Sequence, residues 1–464
     1  MACAPRGPLR VTVLNAFAPM LGTSLAMWAA GSAPTRVCRE IASWTLCLAR
    51  LGGSHVSDRG RRMRILWVKV GGLWPLTAGG RLRSFHILAE LTRRHRVTLV
   101  TTHGPRDDPA GLAAQLVGCE QVISLPYAAP KQGSARFTGA VLRSWLSPLP
   151  VDLWRWRIPA LRREVARLTA AAKFDLCVAD FLHATPNVSL DGPVSTVLFA
   201  HNVEHMIWQR LGRIETRPWR RALLELEWRK MRRYETQACT RARLTVAVSD
   251  ADRLLLASHA PEASVRTIPT GVDTTYFTPN GSQETRGALV FTGSMDWFPN
   301  EDCILHFTEA VFPRIRDAVP DVSLTVVGKN PGPRVQRLAA IPGVRVTGTV
   351  NDVRPYVAAA AVCVVPLRVG GGTRLKIFEA LAMGKAVVST TVGAEGLPLI
   401  PGTHFVQADD PAQFADSVVA LLRDPSRRRA LGSAGRRLME ERYSWSQVAR
   451  EFEARCEEVV AHAR

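Results

Sequence analysis

The chain has 464 residues, with 60 Lys and Arg against 40 Asp and Glu, a net charge of +20. That length supplies full cores for two or three domains, and an apolar share of 47% is ordinary for a globular protein. So basic a balance suits nucleic acid, an anionic membrane face or phosphorylated ligands, but the charge is spread, mostly as Arg, without an RNA-binding aromatic signature, which ranks nucleic acid last. The nine Cys are scattered, with no Cys-x-x-Cys pair and no Cys/His cluster. Such a set reads as buried free thiols in a reducing compartment and suggests no metal site.

Residues 1–62 differ from the remainder of the chain, with eight basic and two acidic residues. Within them Val11 to Gly31 is an uncharged, mostly apolar stretch of 21 residues behind Arg6 and Arg10. It has the length of a membrane anchor and the flanks of a secretory signal. Its Pro, Gly and Asn breaks argue against both, and Met63 opens a clean fold start, Met-Arg-Ile-Leu-Trp-Val-Lys-Val. The segment 1–62 is therefore expected to be an over-extended start outside the fold.

From Met63 strand and helix patterns alternate. A strand at 65–70 leads through Gly79-Gly80 to a helix at 81–94, and a second strand comes at 97–101. This spacing implies an α/β chain with parallel sheets and helices on both faces. Short strands come next at 121–125, 176–180, 195–200 and 244–248. The strand at 176–180 ends in Asp180-Phe181-Leu182-His183, and that at 195–200 runs into His201-Asn202-Val203-Glu204-His205. Polar groups just past the carboxyl ends of parallel strands point into a ligand crevice. Each His is alternatively a helix cap. Residues 143–157 interleave Trp145, Trp154 and Trp156 with Arg, as half-buried packing or an interfacial rim. Trp219 to Cys239 reads as a long basic helix: a solvated face, or a surface that docks on an anionic leaflet.

After a Pro, Asn, Gly and Ser linker at 278–286, a second domain opens at Gly287. A strand at 289–291 ends in Thr292-Gly293-Ser294, and another at 323–327 ends in Gly328-Lys329. The most informative stretch is 366–396. A buried strand runs into Gly370-Gly371-Gly372, a helix opens at about Thr373 with Arg374 and Lys376 in its first turn, and a further strand leads to Gly393-Ala394-Glu395-Gly396. A glycine run lets backbone N–H groups approach an anion, and a helix start adds free donors and a positive dipole end. Together with the two cations, this pattern predicts a diphosphate cradle; the alternative is a plain strand-to-helix turn.

This stretch resembles the nucleotide-sugar site of glycosyltransferase family 4, retaining enzymes of the GT-B fold, and the resemblance extends over about 63–459. It implies two Rossmann-like parallel-sheet domains facing across a cleft: an acceptor domain at 63–277, a linker at 278–286 and a nucleotide-sugar domain at 287–440. The segment 441–464 then crosses back to the first domain as a helix. Gly79-Gly80 resembles the family's first cleft-facing loop, and Thr270-Gly271-Val272-Asp273 its turn at the end of the first domain. The family's mark is two Glu eight positions apart. The second is Glu379, which by resemblance binds the donor ribose. The first falls at position 371, where this chain has Gly371, so the transferred sugar is left open. Relatives carry cations after the Gly293 turn; here Ser294 comes next, and Arg374 and Lys376, with Lys329, are expected to supply the charge.

The resemblance implies transfer of a sugar from a nucleotide-diphosphate-sugar donor to a glycan or glycolipid acceptor, without metal or other cofactor, in polysaccharide or glycolipid assembly. His201 matches the family's first-domain His near the anomeric carbon, and His183 and Glu204 are further candidates. Arg374, Lys376 and the glycine amides would neutralise the leaving diphosphate. Thr373 and Glu395 complete the donor set, although Glu395 would equally cap a helix. The implied location is cytoplasmic, at the inner face of the membrane, with peripheral contact to anionic lipid. Two other readings stay open: a non-catalytic nucleotide-sugar-binding scaffold, for which Gly371 argues, and a nucleotide-sugar epimerase on the same fold. A Rossmann dehydrogenase is disfavoured, because no Gly-x-Gly-x-x-Gly follows the first strand.

Overall fold

A computed structural model describes residues 62–463 apart from 77–78, 131–133, 172, 282 and 370–374. The expectations for residues 1–61, including the apolar stretch 11–31, lie outside the described residues.

The apolar runs form two sheets. The first contains β1 (Arg64–Lys69), β2 (Arg96–His103), β3 (Gln121–Pro126), β4 (Leu176–Asp180), β5 (Thr196–Phe199), β6 (Leu244–Ala247) and β7 (Val265–Thr267). The second contains β8 (Ala288–Thr292), β9 (Ser323–Val327), β10 (Val344–Gly348), β11 (Val362–Val365), β12 (Ala386–Ser389) and β13 (Val406–Gln407). Every pairing in both sheets is parallel. Parallel strands are covered on both faces, which is why β4, β5, β11 and β12 are buried at every position.

Strand order is β3-β2-β1-β4-β5-β6-β7 in the first sheet and β10-β9-β8-β11-β12-β13 in the second. In each, the chain builds outward from the first strand, then returns to build the other way. The connections leaving β1 and β4, and those leaving β8 and β11, therefore diverge and open a crevice at the strands' carboxyl ends. The sequence-predicted site residues follow these strands or their neighbours: Gly79 and Gly80 come after β1, His183 after β4, His201 and Glu204 after β5, Gly293 after β8, Lys329 after β9, Lys376 and Glu379 after β11 and Glu395 after β12. One helix differs from its expected bounds in a way that matters: it spans Gly79–Thr92, so the glycine pair forms its first turn rather than the loop before it. The edge strand β13, two residues long, has too little pattern to be read from sequence.

The closing helix, Trp445–Ala461, returns to the first domain. Val448, Phe452, Cys456 and Val459 recur at helical spacing and are buried among Ile65, Trp67, Val178 and Phe199 of the first sheet. The Phe452 ring lies 5.0 Å from Phe199 and 5.8 Å from Trp67. The crossing is held at its start and at its middle. At its start, Val272 N–H donates to the Tyr443 carbonyl at 2.7 Å, and Trp445 N–H donates back to the Val272 carbonyl at 3.3 Å. A Cβ on Gly271 would lie 2.6 Å from the Trp445 ring. The glycine of the Gly271-Val272-Asp273 turn is thus required by what packs on it. Further along, Glu453 takes His95 Nε2 at 2.7 Å and Arg94 Nη2 at 2.6 Å.

Because Phe452 is fully buried in a core shared by helix and sheet, Phe452→Ala should destabilise the first domain by about 3–5 kcal/mol. Chemical denaturation followed by tryptophan fluorescence measures this; a loss below about 1 kcal/mol would mean that the helix is not part of that core.

Candidate active site

In the second domain the site begins where β8 ends. Gly293 N–H donates to the Val327 carbonyl at 3.0 Å, which ties the loop after β8 to the end of β9. A Cβ on Gly293 would stand 2.7 Å from Asn300 Nδ2 and 2.9 Å from Lys376 Nζ. The side chain is left out so that those two groups can sit against the backbone. Lys376 Nζ donates to Asn300 Oδ1 at 2.8 Å and lies 4.2 Å from the Phe291 ring centroid. Asn300 is buried, and its Nδ2 donates to the Ser294 carbonyl at 2.8 Å. A lysine held this way is a fixed cation beside a glycine turn, a preorganised partner for a phosphate oxygen.

Lys376 lies in the first turn of the helix Leu375–Ala382. Glu379, three residues on, shares its face and lines a small cavity with Val290, Thr292, Cys363, Val365 and Lys376. Burial among these mostly apolar groups pushes the Glu379 carboxyl up to about 7, with the Lys376 charge opposing. Gly370, Gly371, Gly372, Thr373 and Arg374 lie outside the described residues.

The first domain meets this helix at its start: a Cβ on Gly79 would stand 3.5 Å from Leu375 Cδ1. Two helices therefore begin against one another across the crevice. The next residue, Gly80, faces Phe181, whose ring would lie 2.4 Å from an added Cβ. Phe181 has a φ of 71°, a left-handed conformation that costs a non-glycine residue about 1–3 kcal/mol. Its ring stacks on His201 with centroids 3.8 Å apart and planes 10° from parallel, and Lys69 Nζ lies 4.1 Å from its centroid.

Beneath His201 is a buried carboxylate. Asp180 Oδ1 is 2.8 Å from His201 Nε2 and accepts from Ser84 Oγ at 3.0 Å. Its Oδ2 accepts from Trp67 Nε1 at 2.9 Å and lies 3.6 Å from Lys69 Nζ. Burial would raise the Asp180 pKa, but Lys69 and the His201 and Ser84 hydrogen bonds outweigh it and hold the group at about 2. Burial, with Arg83 and Lys69 adding to it, lowers His201 to about 3 against the pull of Asp180. At neutral pH His201 is thus a neutral imidazole with its Nε2 proton committed to Asp180. It is fit to hydrogen-bond a ligand through Nδ1, not to act as a cation. Arg83, also buried, spans the sheet edge: its guanidinium donates to the carbonyls of Ala200 at 2.9 Å and Ile268 at 2.5 Å.

The other sequence-predicted residues make contacts of their own. His183 Nε2 pairs with Asp152 Oδ2 at 2.9 Å, and Arg155 Nε pairs with Asp152 Oδ1 at 2.8 Å. Glu204 stands beside this second charge cluster, its pKa raised by burial, and its backbone N–H is capped by Glu235 at 2.8 Å. Lys329 is exposed, and its carbonyl accepts from Met295 N–H at 2.9 Å. Glu395 is exposed at the end of the short helix Thr391–Ala394. Sequence reasoning missed Lys69, Phe181 and Asn300 as site groups. A lone Lys inside the apolar β1 was a usable signal for the first; nothing local marks Asn300. Among the described residues one trio could approach a metal ion, His95, Glu453 and Glu457. His95 Nδ1 there accepts from Met63 N–H at 3.2 Å, which leaves Nε2 as a donor to Glu453 rather than a metal ligand.

Glu379 generates a pH prediction. A carboxyl raised to about 7 in the folded chain, but ordinary when unfolded, loses its proton first in the unfolded state. It therefore destabilises the empty protein increasingly as pH rises from the ordinary Glu value to about 7, and the cost is full above that. Relative to the parent, Glu379→Gln should gain on the order of 2 kcal/mol at pH 8 and nothing at pH 4. Parallel denaturation curves at the two pH values measure this, and a pH-independent difference would contradict the assigned burial.

Comparison with known proteins gives the family. Residues 79–276 match the family model for Glycosyltransferase Family 4, and residues 286–424 match that for Glycosyl transferases group 1. The chain is 28% identical over 198 residues to a GDP-mannose-dependent monoacylated alpha-(1-6)-phosphatidylinositol monomannoside mannosyltransferase of Corynebacterium glutamicum, which covers 38% of this chain and 52% of that protein. It is 32% identical over 143 residues to a phosphatidyl-myo-inositol mannosyltransferase of Mycobacterium leprae, covering 30% of this chain and 38% of that one. The matches thus span about half, or less, of these curated relatives. Among solved structures, sucrose-phosphate synthase from Thermosynechococcus elongatus superposes with a TM-score of 0.62 at 17% identity, covering 86% of this chain and 100% of that one. Anabaena HepE, in complex with UDP and glucose, gives 0.58 at 13% identity, covering 85% of this chain and 99% of that one. Both domains of a GT-B protein are accounted for, and the chain belongs to glycosyltransferase family 4.

Proposed function

We propose that the chain moves a hexose, with retention and without a metal, from a nucleoside-diphosphate sugar to a hydroxyl of a lipid-linked glycan acceptor. The observation that carries the proposal is the apposition of the two helix starts, Gly79 against Leu375, with Lys376 fixed beside Gly293. A diphosphate placed there would meet the N–H groups of two helix starts, one from each domain, and a lysine already held in position. The relatives named for GDP-mannose and phosphatidylinositol mannosides support a mannosyl donor and a glycolipid acceptor as the first to try.

The hard step is departure of the diphosphate as the anomeric carbon becomes cationic. Lys376, with Arg374 and the glycine amides of 370–372, would balance the charge that grows on the leaving oxygen. Glu379 would accept hydrogen bonds from the donor's ribose hydroxyls. Its raised pKa fits that task, since bound hydroxyls would replace the solvation that burial removes. His201, neutral and held by Asp180, would hydrogen-bond the transferred sugar. The leaving phosphate would take the acceptor's proton, so the proposal needs no protein base.

Gly371, where the family has Glu, favours one alternative, a chain that binds the donor without transferring it. A panel of GDP-, UDP- and ADP-sugars separates the two by thermal stabilisation and by slow hydrolysis without acceptor. One donor should both stabilise and be hydrolysed, and Glu379→Ala should weaken its binding by about 10- to 100-fold. Stabilisation without turnover in the presence of acceptor lipid would favour the scaffold, and no stabilisation by any donor would remove the proposed site.

A further inference from the structure

We propose that the helices Glu204–Ile214 and Pro218–Arg241, with the end of the helix Ala135–Trp145, form a docking face for an anionic lipid bilayer. This deepens the reading of a lipid-linked acceptor and rests on it.

Apolar exposure in the described chain is concentrated here. Leu142, Trp145 and Leu146 are 54%, 49% and 93% exposed, and Trp219, Leu223 and Leu226 are 60%, 37% and 44% exposed. Ile207 and Leu211 add to the set. Trp219, Leu223, Leu226 and Lys230 recur at the spacing of one helix stripe. That stripe leads to the other helix, because Lys230 Nζ donates to the Ser144 carbonyl at 2.7 Å and to Ser144 Oγ at 2.9 Å. Leu142, Trp145 and Leu146 flank the contact.

The charges are sorted by sign. Arg210, Arg213, Arg217, Arg220, Arg221, Arg229, Arg232 and Arg233 are exposed. Of the acids on the same two helices and their joint, Glu204, Glu227 and Glu235 are buried; Glu215 and Glu225 are half-buried, and Glu225 pairs with Arg229 at 3.1 Å. Glu227 accepts from Val151 N–H, and Glu235 caps the start of the first helix. What remains outside is mostly arginine mixed with Leu and Trp, with Glu225 offsetting Arg229.

That mixture fits a bilayer surface better than other partners. A nucleic acid would use the cations but offer nothing to Leu146, Leu223 or Leu226. A second copy of the same face would set arginine against arginine. At a headgroup boundary the leucines reach the acyl layer, the tryptophans sit at the interface, and the arginines meet lipid phosphate. No helix among the described residues is long and apolar enough to cross a membrane, so this face lies on the surface. The position suits an acceptor drawn from the bilayer: the first helix starts three residues after His201.

The test is co-sedimentation of the full chain with phosphatidylcholine vesicles, with and without phosphatidylglycerol. Two exposed double variants are compared, Arg220→Gln with Arg221→Gln, and Leu223→Ser with Leu226→Ser. The parent should bind only the anionic vesicles. The arginine pair should weaken this by on the order of thirty-fold, and the leucine pair by about tenfold. Residues 1–62 are common to all three chains, so the comparison isolates this face. Three results would overturn the proposal: both variants binding like the parent, a loss only in the arginine pair with an oligonucleotide competing, or a leucine pair that merely turns a dimer into a monomer in light scattering. Donor-induced stabilisation, measured on the same samples, separates failure of this face from failure of the transferase reading.

Discussion

The first domain's half of the crevice depends on one buried carboxylate. Asp180 is fully buried and joins Lys69, Trp67, Ser84 and His201, which come from β1, the Gly79 helix and the turn after β5. A buried ion pair adds little net stability, because desolvation consumes most of the attraction, but removing one partner leaves an uncompensated charge. The carboxylate therefore acts mainly as a constraint. It fixes the position of His201 and which nitrogen bears its proton. Burial and the neighbouring Lys69 and Arg83 keep the imidazole neutral against the pull of the carboxylate, whose charge offsets those two buried basic groups.

The second domain solves the opposite problem. Its Lys376 lies half-buried against Asn300 and the Phe291 ring, and Gly293 lacks a side chain so that it can. One domain thus offers a neutral, tightly held hydrogen-bonding group, and the other a positive charge at a helix start. A sugar diphosphate has the same polarity, with neutral hydroxyls at one end and anionic phosphate at the other. The closing helix and the Gly271 turn tie the domains together through Tyr443, Ser444 and Trp445. The crevice is therefore spanned on one side by backbone hydrogen bonds.

Much of this was legible in the sequence, because strand and helix periods carry the alternation and glycine marks close backbone approach. The parallel α/β pattern, the return of the last helix and the crevice-facing ends of β4 and β5 all come from local pattern or from the family resemblance. What could not be read depends on distance in sequence. Asn300 gains its meaning from Lys376, 76 residues away. His183 and Glu204 share the strand-end position of His201, yet Asp152 and Glu235 hold them in other contacts. Phe181 needed the backbone itself, since its φ of 71° is set by packing between Gly80 and His201. The charge of the Trp219 helix was plain, but not that Glu227 and Glu235 turn inward.

The account stands on the claim that one nucleotide bridges both helix starts. Hydrogen–deuterium exchange with GDP, UDP or ADP added in turn tests this directly. Protection by one of them in segments 79–84, 293–300 and 366–380 together is the predicted result. Binding that protects the second domain alone, or neither helix start, would contradict it.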